Sequence, residues 1–352
     1  RDAVAGGAIE RFAGERRRRT GILEVDAAFL LDLERWRDEL ARNVALRNKD
    51  LSLPELNEAV QKTLDRIIFL RICEDRGIEP FAQLQALLNG AKVYPRLADL
   101  FRRADARYNS GLFHFYSEKG RAEDEDGWML GLEVDDGVLK GILRDLYPPR
   151  CPYDFAVMPA DILGSVYERF LGKTIRLTPA HRAVVEDKPE VRKAGGVFYT
   201  PTPIVEAIVE RTVGRALAGK APAAVDGSGG KPPLRIVDPA CGSGSFLIGA
   251  YQYLLDWYRD AYVAAGPLRH KHEVYEVVGA PAAGQDSNGD GNGDDGGVDE
   301  IAESAGGPAR EWRLTSAAKK RILLTHIFGV DIDRQAVEVT KLSLLLKVLE
   351  GE

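Results

Sequence analysis

Apolar residues recur at three- and four-residue steps along the first half of the chain, a spacing typical of amphipathic helices. The pattern is regular over residues 26–47 and again from Ser52 onward. Ser52 and Glu55 match a capping box at the start of the second segment, and Gly77 is a typical residue to end a helix. The sequence therefore predicts two long helices in this part of the chain.

Shorter helical patterns follow the two long ones, at residues 80–89, 96–106, 137–146 and 159–171. Residues 108–136 are rich in glycine and acidic side chains, so an irregular connection is expected there. Alternating β-branched residues, the signal of strands, are rare before residue 190. We therefore predict an all-α domain over residues 26–190, behind a linker at residues 1–25.

The pattern changes beyond residue 190. Helical and short apolar segments then alternate, as helix 203–217, strand 234–238, helix 245–263, helix 315–326, strand 327–331 and helix 334–349. Strands that alternate with helices are typical of α/β domains with a parallel sheet. The sequence predicts that residues 191–352 hold the beginning of such a doubly wound domain.

One segment of this second part, residues 279–309, has low complexity and few apolar residues. Such a composition cannot bury enough apolar surface to offset the entropy lost on ordering, so we predict a disordered surface insertion. Four of its residues match the first half of a calcium-binding loop: Asp286, Asn288, Asp290 and Gly291. The twelfth position would need a bidentate glutamate but is Gly297, which disfavours calcium.

The composition, 45% hydrophobic and 29% charged among 352 residues, is typical of a soluble globular protein of about two domains. No apolar run is long enough to cross a membrane, and three cysteines without a CxxC pair are typical of the reducing cytoplasm.

The formal net charge is −6, but residues 273–309 hold nine of the acidic side chains and no Lys or Arg. The remainder carries +3, which permits a nucleic-acid partner without establishing one. The chain starts at Arg1 and stops after an apolar helical pattern, so we expect a fragment of a longer protein.

A strand end, a glycine turn and a helix start come together in Asp238-Pro239-Ala240-Cys241-Gly242-Ser243-Gly244-Ser245-Phe246. Glycines let a ligand approach the backbone, and the free N–H groups of the helix start would face it, as in nucleotide-type cofactor sites. A dinucleotide-binding turn would need a third glycine at the position of Leu247. Asp238 would also repel a phosphate but attract an ammonium or sulfonium cation. A dinucleotide oxidoreductase is therefore a distant alternative.

Three segments resemble motifs of S-adenosylmethionine-dependent DNA adenine methyltransferases of the amino-methylating class. DPACGSGSF resembles motif I, GGVFYTPTPIVEAIV (195–209) resembles motif X, and IFGVDIDRQAVEVTKLSLLLKVLE (327–350) resembles motif II. Motif X precedes motif I in this class, as it does here. The helical region, with LDLERWRDELARN and LNEAVQKTLDRIIFLRICEDRGIEPF, is similar to the connector ahead of the methylase domain in type IIG restriction–modification enzymes. The resemblance implies a Rossmann-like methyltransferase domain behind an all-α connector.

The resemblance also implies a site for S-adenosyl-L-methionine. Asp238 would face the methionine ammonium, Asp331 would accept hydrogen bonds from the ribose hydroxyls, and Ile332 would pack on the adenine. The other implied cofactor-binding residues belong to motifs X and I: Tyr199, Thr200, Pro201, Pro239, Ala240, Cys241 (through its backbone), Gly242, Gly244, Ser245 and Phe246. Asp333 competes with Asp331 for the ribose. The 93 residues from Asp238 to Asp331 exceed the usual spacing of about 20, so this assignment rests on the resemblance.

The residues that would hold the target base are missing from the chain. The family uses a tetrapeptide of the form N/D/S-P-P-Y/F/W, whose acceptor and aromatic ring bind a flipped adenine. The Pro-Pro pairs here, Pro148-Pro149 and Pro232-Pro233, have neither the acceptor before them nor the aromatic after them. We expect the motif to follow Glu352 in the whole protein. Within these residues the sequence indicates no catalytic residue, no metal site and no D…ExK nuclease pattern.

These observations predict a site-specific DNA adenine-N6 methyltransferase of a restriction–modification system, located in the cytoplasm and acting on double-stranded DNA. The whole protein would transfer a methyl group by direct displacement, and the family allows a further endonuclease activity. The 352-residue chain by itself is expected to be inactive. Two alternatives stay open, namely a phage-defence methyltransferase without a nuclease and a non-catalytic DNA-binding or assembly subunit.

Overall fold

The computed structural model describes residues 25–108, 112–115, 126–156, 158, 166–167, 170–189, 200–278 and 310–350. They fall into two compact units. The first is drawn from Arg1–Thr212, Val237–Ala250 and Phe328–Glu352, and the second from Val213–Ile236 and Tyr251–Ile327. The linker prediction (apart from residue 25), the insertion at 279–309 with its calcium-like loop, and Tyr199 all lie outside the described residues. The division into domains at residue 190 stays a prediction.

The described part of the chain begins with helices α1 (Val25–Arg47), α2 (Leu53–Asp75), α3 (Gln83–Ala86), α4 (Val93–Tyr108) and α5 (Asp136–Asp145). The two long helices and the capping box are confirmed. The Glu55 N–H donates to the Ser52 hydroxyl over 3.4 Å, and the Ser52 N–H donates to the Glu55 carboxylate over 2.8 Å. Gly77, with a φ of +71°, takes the left-handed conformation just beyond α2. The residues next to this helix thus determine where it begins and where it ends.

A β-hairpin interrupts the region predicted to be all-α, so that prediction is wrong there. Strands β1 (Lys173–Leu177) and β2 (Ala183–Asp187) pair antiparallel. The hairpin is held to α2 by Asn57, whose carboxamide oxygen accepts from the Ile175 N–H over 2.9 Å and whose NH₂ donates to the Ile175 carbonyl over 3.1 Å. Ile175 is buried in the core of the helices. Strands of only five residues show too little alternation of apolar and polar positions to be recognised among helices. These strands were therefore not predicted.

The core of the helical region encloses a cluster of buried charges. Asp126 is fully buried and accepts from Lys62 Nζ over 2.6 Å through one carboxylate oxygen. Its other oxygen pairs with the guanidinium of Arg66, whose Nε donates to the Leu112 carbonyl over 3.0 Å. Buried ions of this kind are tolerated only when their partners satisfy them, so the three side chains depend on one another.

The second half of the chain contains α6 (Thr202–Val209), a π-helical turn (Glu210–Gly214), α7 (Arg215–Leu217), β3 (Ile236–Asp238), α8 (Ser245–Ala264), β4 (Val274–Val278), β5 (Arg310–Leu314), α9 (Ser316–His326), β6 (Ile327–Gly329) and α10 (Arg334–Val348). The two strands and three helices predicted from residue 234 onward are all found, but two further strands, β4 and β5, stand between α8 and α9. The start of α9 is capped as its sequence suggests, because the Ala318 N–H donates to the Thr315 hydroxyl over 3.2 Å. None of the helices within the described ranges is long and apolar enough to cross a membrane.

Strands β4 and β5, which were not predicted, pair antiparallel from Val274 opposite Leu314 to Val278 opposite Arg310. They flank residues 279–309, the segment of low complexity. Each strand is five residues long, and the two are separated by more than thirty residues. Neither strand carries a local signal of its partner, so the pairing could not be read from the sequence.

Strands β3 and β6 form a third two-stranded sheet. The Val330 N–H donates to the Asp238 carbonyl over 2.9 Å, and the Val330 carbonyl accepts from the Cys241 N–H over 3.0 Å. Val330, the residue after β6, thus bonds both to the last residue of β3 and to the turn that follows it. The described residues thus show a mixed, helix-rich fold with few strands, and the wider Rossmann-like sheet stays a prediction.

Helix α10 packs against α2. Its buried apolar residues, among them Val339, Leu342 and Leu346, belong to the same hydrophobic cluster as the helices of the connector-like region. The helix that follows β6 is therefore built into the core of the first unit.

Candidate cofactor site

The turn after β3 has the closed shape expected of a ligand-binding glycine turn. The Ala240 N–H donates to the Asp238 carboxylate over 3.1 Å, and the Gly244 N–H donates to the Cys241 carbonyl over 2.8 Å. Gly242 and Gly244 have φ values of +53° and +88°, in a region of backbone conformation that residues other than glycine rarely adopt. The two glycines are thus required by the turn itself, and α8 begins directly after them.

Helix α10 lies against the inner side of this turn. A Cβ atom added to Gly244 would lie 2.8 Å from both Cγ2 and Oγ1 of Thr340, which is too close for any real side chain. The Thr340 hydroxyl also donates to the Gly242 carbonyl over 2.9 Å. No local pattern indicates Thr340, since only packing brings a threonine in the middle of a helix to a turn 98 positions earlier.

The acid after β6 completes the arrangement. Asp331 accepts from the Gly242 N–H over 2.9 Å through one oxygen and from the Asp333 N–H over 2.8 Å through the other. Gly242 is therefore held at its N–H by Asp331 and at its carbonyl by Thr340. An ionised carboxylate has about four acceptor positions, so Asp331 can accept further hydrogen bonds from a ligand.

Asp333, the competitor of Asp331, has other partners. One of its oxygens accepts from the Gln335 N–H over 2.9 Å and so caps α10. Its other oxygen forms an ion pair with Lys188, which follows β2. This geometry favours Asp331 over Asp333 as the acid that faces the glycine turn. Lys188, like Thr340, contacts the site residues through a long-range contact that the sequence did not indicate.

The other predicted site residues surround the turn to different degrees. Ile332 is fully exposed, at 103% of its reference area, and an apolar side chain in that state has surface available for a ligand. Cys241 is buried, which raises the pKa of its thiol and keeps it in the neutral, poorly nucleophilic form. Thr200 and Pro201 lie at the start of α6, where Pro201 takes the N-cap position.

Pro239 and Ala240 are exposed on the turn, while Ser245 and Phe246 are half-buried in the first turn of α8. Helices α6 and α8 approach closely, because a Cβ added to Gly249 would lie 2.7 Å from Val205 Cγ1. This contact places the segment that resembles motif X beside the helix that resembles motif I. The described site thus consists of two acids, a glycine turn and a helix start beside the strand pair of β3 and β6.

Substituting Thr340 by valine removes the hydroxyl and keeps the branched shape. We expect Thr340→Val to lower the free energy of unfolding by about 1 kcal/mol, because the Gly242 carbonyl loses a hydrogen bond in a packed site. Chemical denaturation monitored by circular dichroism would measure the change. Thr340→Ser, which retains the hydroxyl, is the control for that bond, and equal stability of wild type and Thr340→Val would contradict the assigned role.

Two protein families match the chain. The N-6 DNA methylase model matches residues 159–266, and the model of the MmeI DNA-methyltransferase domain matches residues 232–350. The glycine turn lies in both matches, and Asp331 lies in the second. Both matched models describe DNA methyltransferase domains, and the first is that of the N-6 DNA methylases.

A curated relative is also similar to nearly the whole chain. The type II restriction enzyme and methyltransferase RM.Eco57I of Escherichia coli is 29% identical over 335 residues, which cover 93% of this chain and 28% of that protein. The chain thus spans about a quarter of the length of this relative. Together the matches support a type IIG-like restriction–modification methyltransferase sequence, as the motifs indicated. No solved structure matches the chain.

Proposed function

We propose that the chain is the connector and the cofactor-binding part of a site-specific DNA adenine-N6 methyltransferase of a restriction–modification system. The observation that carries the proposal is the hydrogen bond from the Gly242 N–H to Asp331, which connects the acid that follows β6 to the glycine turn that follows β3. The matched families and the restriction–modification relative support it independently. We include double-stranded DNA as the substrate and the cytoplasm as the location in the proposal.

The donor set suits S-adenosyl-L-methionine better than a dinucleotide. Asp238 at the strand end favours a cationic ammonium or sulfonium and disfavours a pyrophosphate. Asp331 has acceptor positions free for the two ribose hydroxyls, and Ile332 offers an exposed apolar side chain for the adenine ring. When bound, this cofactor supplies an electrophilic methyl group, while the protein residues named here hold and orient it.

The first test is cofactor binding by the purified chain. We expect S-adenosylmethionine to bind more tightly than NAD, and Asp238→Asn to weaken its binding about tenfold, since a charge-assisted contact is worth roughly 1.5–3 kcal/mol. Isothermal titration calorimetry would measure both affinities. Asp260→Asn, which changes an exposed acid on α8, is the matched control. Equal or tighter NAD binding, or an unchanged affinity in Asp238→Asn, would argue against the proposal.

The second test concerns turnover. We expect these 352 residues alone to transfer no methyl group to DNA, because they contain no acceptor-Pro-Pro-aromatic motif to receive a flipped adenine. Without that motif the amine is not aligned with the methyl donor, and the advantage of proximity is lost. Tritiated cofactor and DNA of mixed sequence provide the assay. Label in adenine above background would reveal a catalytic motif inside the chain.

A further inference from the structure

The charged residues of the chain are divided unevenly between the two compact units. Among the described residues the second unit contains twelve Lys and Arg residues and six Asp and Glu residues, whereas the first contains twenty-five and twenty-nine. The second unit therefore carries a surplus of positive charge that the net charge of −6 for the whole chain conceals. A surplus of this kind, confined to one unit, is typical of a surface that binds an anionic partner.

A short turn after α8 exposes part of this positive charge. Pro267–His270 forms a single 3₁₀ turn, and the side chains of Arg269 and Lys271 are exposed. Neither cation forms an ion pair with a residue in the described part of the chain. Leu268, which lies beside them in the sequence, is 85% exposed. The turn thus presents two cations and one apolar side chain to a partner.

Three contacts fix the backbone of this turn. The centre of the His270 ring lies 4.9 Å from the centre of the ring of Tyr262, which is buried. The Thr315 hydroxyl donates to the His272 carbonyl over 3.0 Å, and the Thr315 N–H donates to the Glu273 carbonyl over 2.8 Å. The backbone that carries the two cations is therefore held in place before a partner binds, which reduces the entropy lost on binding.

The acid that directly follows the turn does not neutralise these cations. Glu273 accepts a hydrogen bond from Arg321 of α9 over 2.7 Å, and the two form an ion pair. Arg269 and Lys271 thus keep their charge uncompensated within the described residues. Phosphate groups are anions that both side chains bind well, Arg through its planar fork and Lys as a point charge.

An anionic partner with apolar surface beside its charges fits this turn. In duplex DNA the phosphates lie next to the sugars, and proteins that bind it often place apolar side chains in the minor groove beside their phosphate contacts. An anionic membrane fits less well, because a single leucine buries too little apolar surface to anchor a protein in lipid. That the partner is DNA rests on the proposed function, whereas the charge of the turn does not.

We propose that residues 267–272 form a DNA-contacting turn, in which Arg269 and Lys271 bind phosphates and Leu268 packs against the neighbouring sugars. Contacts of this kind are made to any sequence, so the turn adds affinity for DNA without adding specificity. It belongs to the second unit, whereas the glycine turn of the candidate cofactor site belongs to the first.

Fluorescence anisotropy of a labelled duplex of mixed sequence, titrated with the 352-residue chain at several salt concentrations, would test this turn. We expect the turn variant, Arg269→Ala with Lys271→Ala, to bind the duplex about tenfold more weakly at low salt. The slope of log Kd against log salt concentration should fall by about 2, because each phosphate contact contributes about 0.9 to it. Leu268→Ala should weaken binding about threefold, the effect of about 25 Å² of apolar surface, and leave the slope unchanged.

Two control pairs show where the contact lies. Lys49→Ala with Arg103→Ala removes the same charge from exposed positions of the first unit and should leave the affinity and the slope nearly unchanged. Lys220→Ala with Lys231→Ala removes it from exposed positions elsewhere in the second unit and should have a smaller effect than the turn variant. A loss in either control as large as that in the turn variant would overturn the proposal, and so would a wild-type chain that does not bind the duplex at low salt.

Three further results separate the alternatives. Vesicles of phosphatidylserine that bind the chain as tightly as the duplex does, with the same loss in the turn variant, would indicate a membrane partner and overturn the proposal. Duplex binding that Leu268→Ala leaves unchanged would contradict the contact assigned to that side chain. Failure of the wild-type chain to bind S-adenosylmethionine would count only against the proposed function, since duplex binding is measured without the cofactor.

Discussion

Asp126→Ala is expected to lower the free energy of unfolding by about 3–5 kcal/mol, the cost of breaking a buried ion pair by removing one partner. The side chains of Lys62 and Arg66 are 5% and 0% exposed, so both cations lose an acidic partner in a site that is nearly closed to water. Chemical denaturation followed by circular dichroism would measure the loss. The α2 helix carries both cations, and its packing should loosen with them.

Two further variants make this experiment specific. Asp126→Asn keeps the shape and removes the charge, so it should be nearly as destabilising if electrostatics dominate. Asp99→Ala breaks an exposed pair with Arg102 on α4 and should change the stability little. A small effect of Asp126→Ala, comparable with that of Asp99→Ala, would contradict the dependence of the core on this cluster.

Gly244→Ala is expected to destabilise the first unit by about 3 kcal/mol and to abolish detectable cofactor binding. Two causes combine, because the added Cβ would lie 2.8 Å from Thr340 and a φ of +88° is strained for alanine. Denaturation and calorimetry with S-adenosylmethionine would measure the two effects. The turn would have to move away from α10, and the N–H of Gly242 would leave Asp331.

A matched control separates the two causes. Gly230 also has a positive φ, of +76°, but a Cβ added there would meet nothing within 4 Å. Gly230→Ala should therefore cost only the backbone strain. The double variant Gly244→Ala with Thr340→Ala should recover the part due to the close contact. A Gly244→Ala protein as stable as Gly230→Ala would show that α10 does not restrict the turn.

The sequence revealed those parts of the fold that depend on near neighbours. The capping box of Ser52, the helix that starts beside Thr315 and the strand–turn–helix around Gly242 each depend on residues a few positions apart, and each is found where it was predicted. The β1–β2 and β4–β5 pairs were missed because their stability depends on distant partners. For β1 that partner is Asn57 of α2, which no local pattern connects to Ile175.

In the candidate site, too, the sequence indicated residues that belong to local motifs and did not indicate those that only tertiary packing brings together. Motif resemblance indicated Asp238 and Asp331 but could not separate Asp331 from Asp333, because both follow β6. The backbone bond from Gly242 and the ion pair with Lys188 distinguish them, and both arise from tertiary packing. Thr340 could not have been found at all, since its role depends on the close approach of a helix to a turn.

The burial of α10 in the helical core has a consequence for protein engineering. A chimera that joins two enzymes at residue 190 would separate Val339, Leu342 and Leu346 from the apolar residues of α2 and its neighbouring helices, with which they share a core. In such a hybrid, side chains from two different enzymes would have to pack in one core. Each poorly fitting side chain would lower the free energy of unfolding by about 1–3 kcal/mol. A successful exchange would instead transfer α10 together with α2, so that the two helices keep the contacts that they have in the parent enzyme.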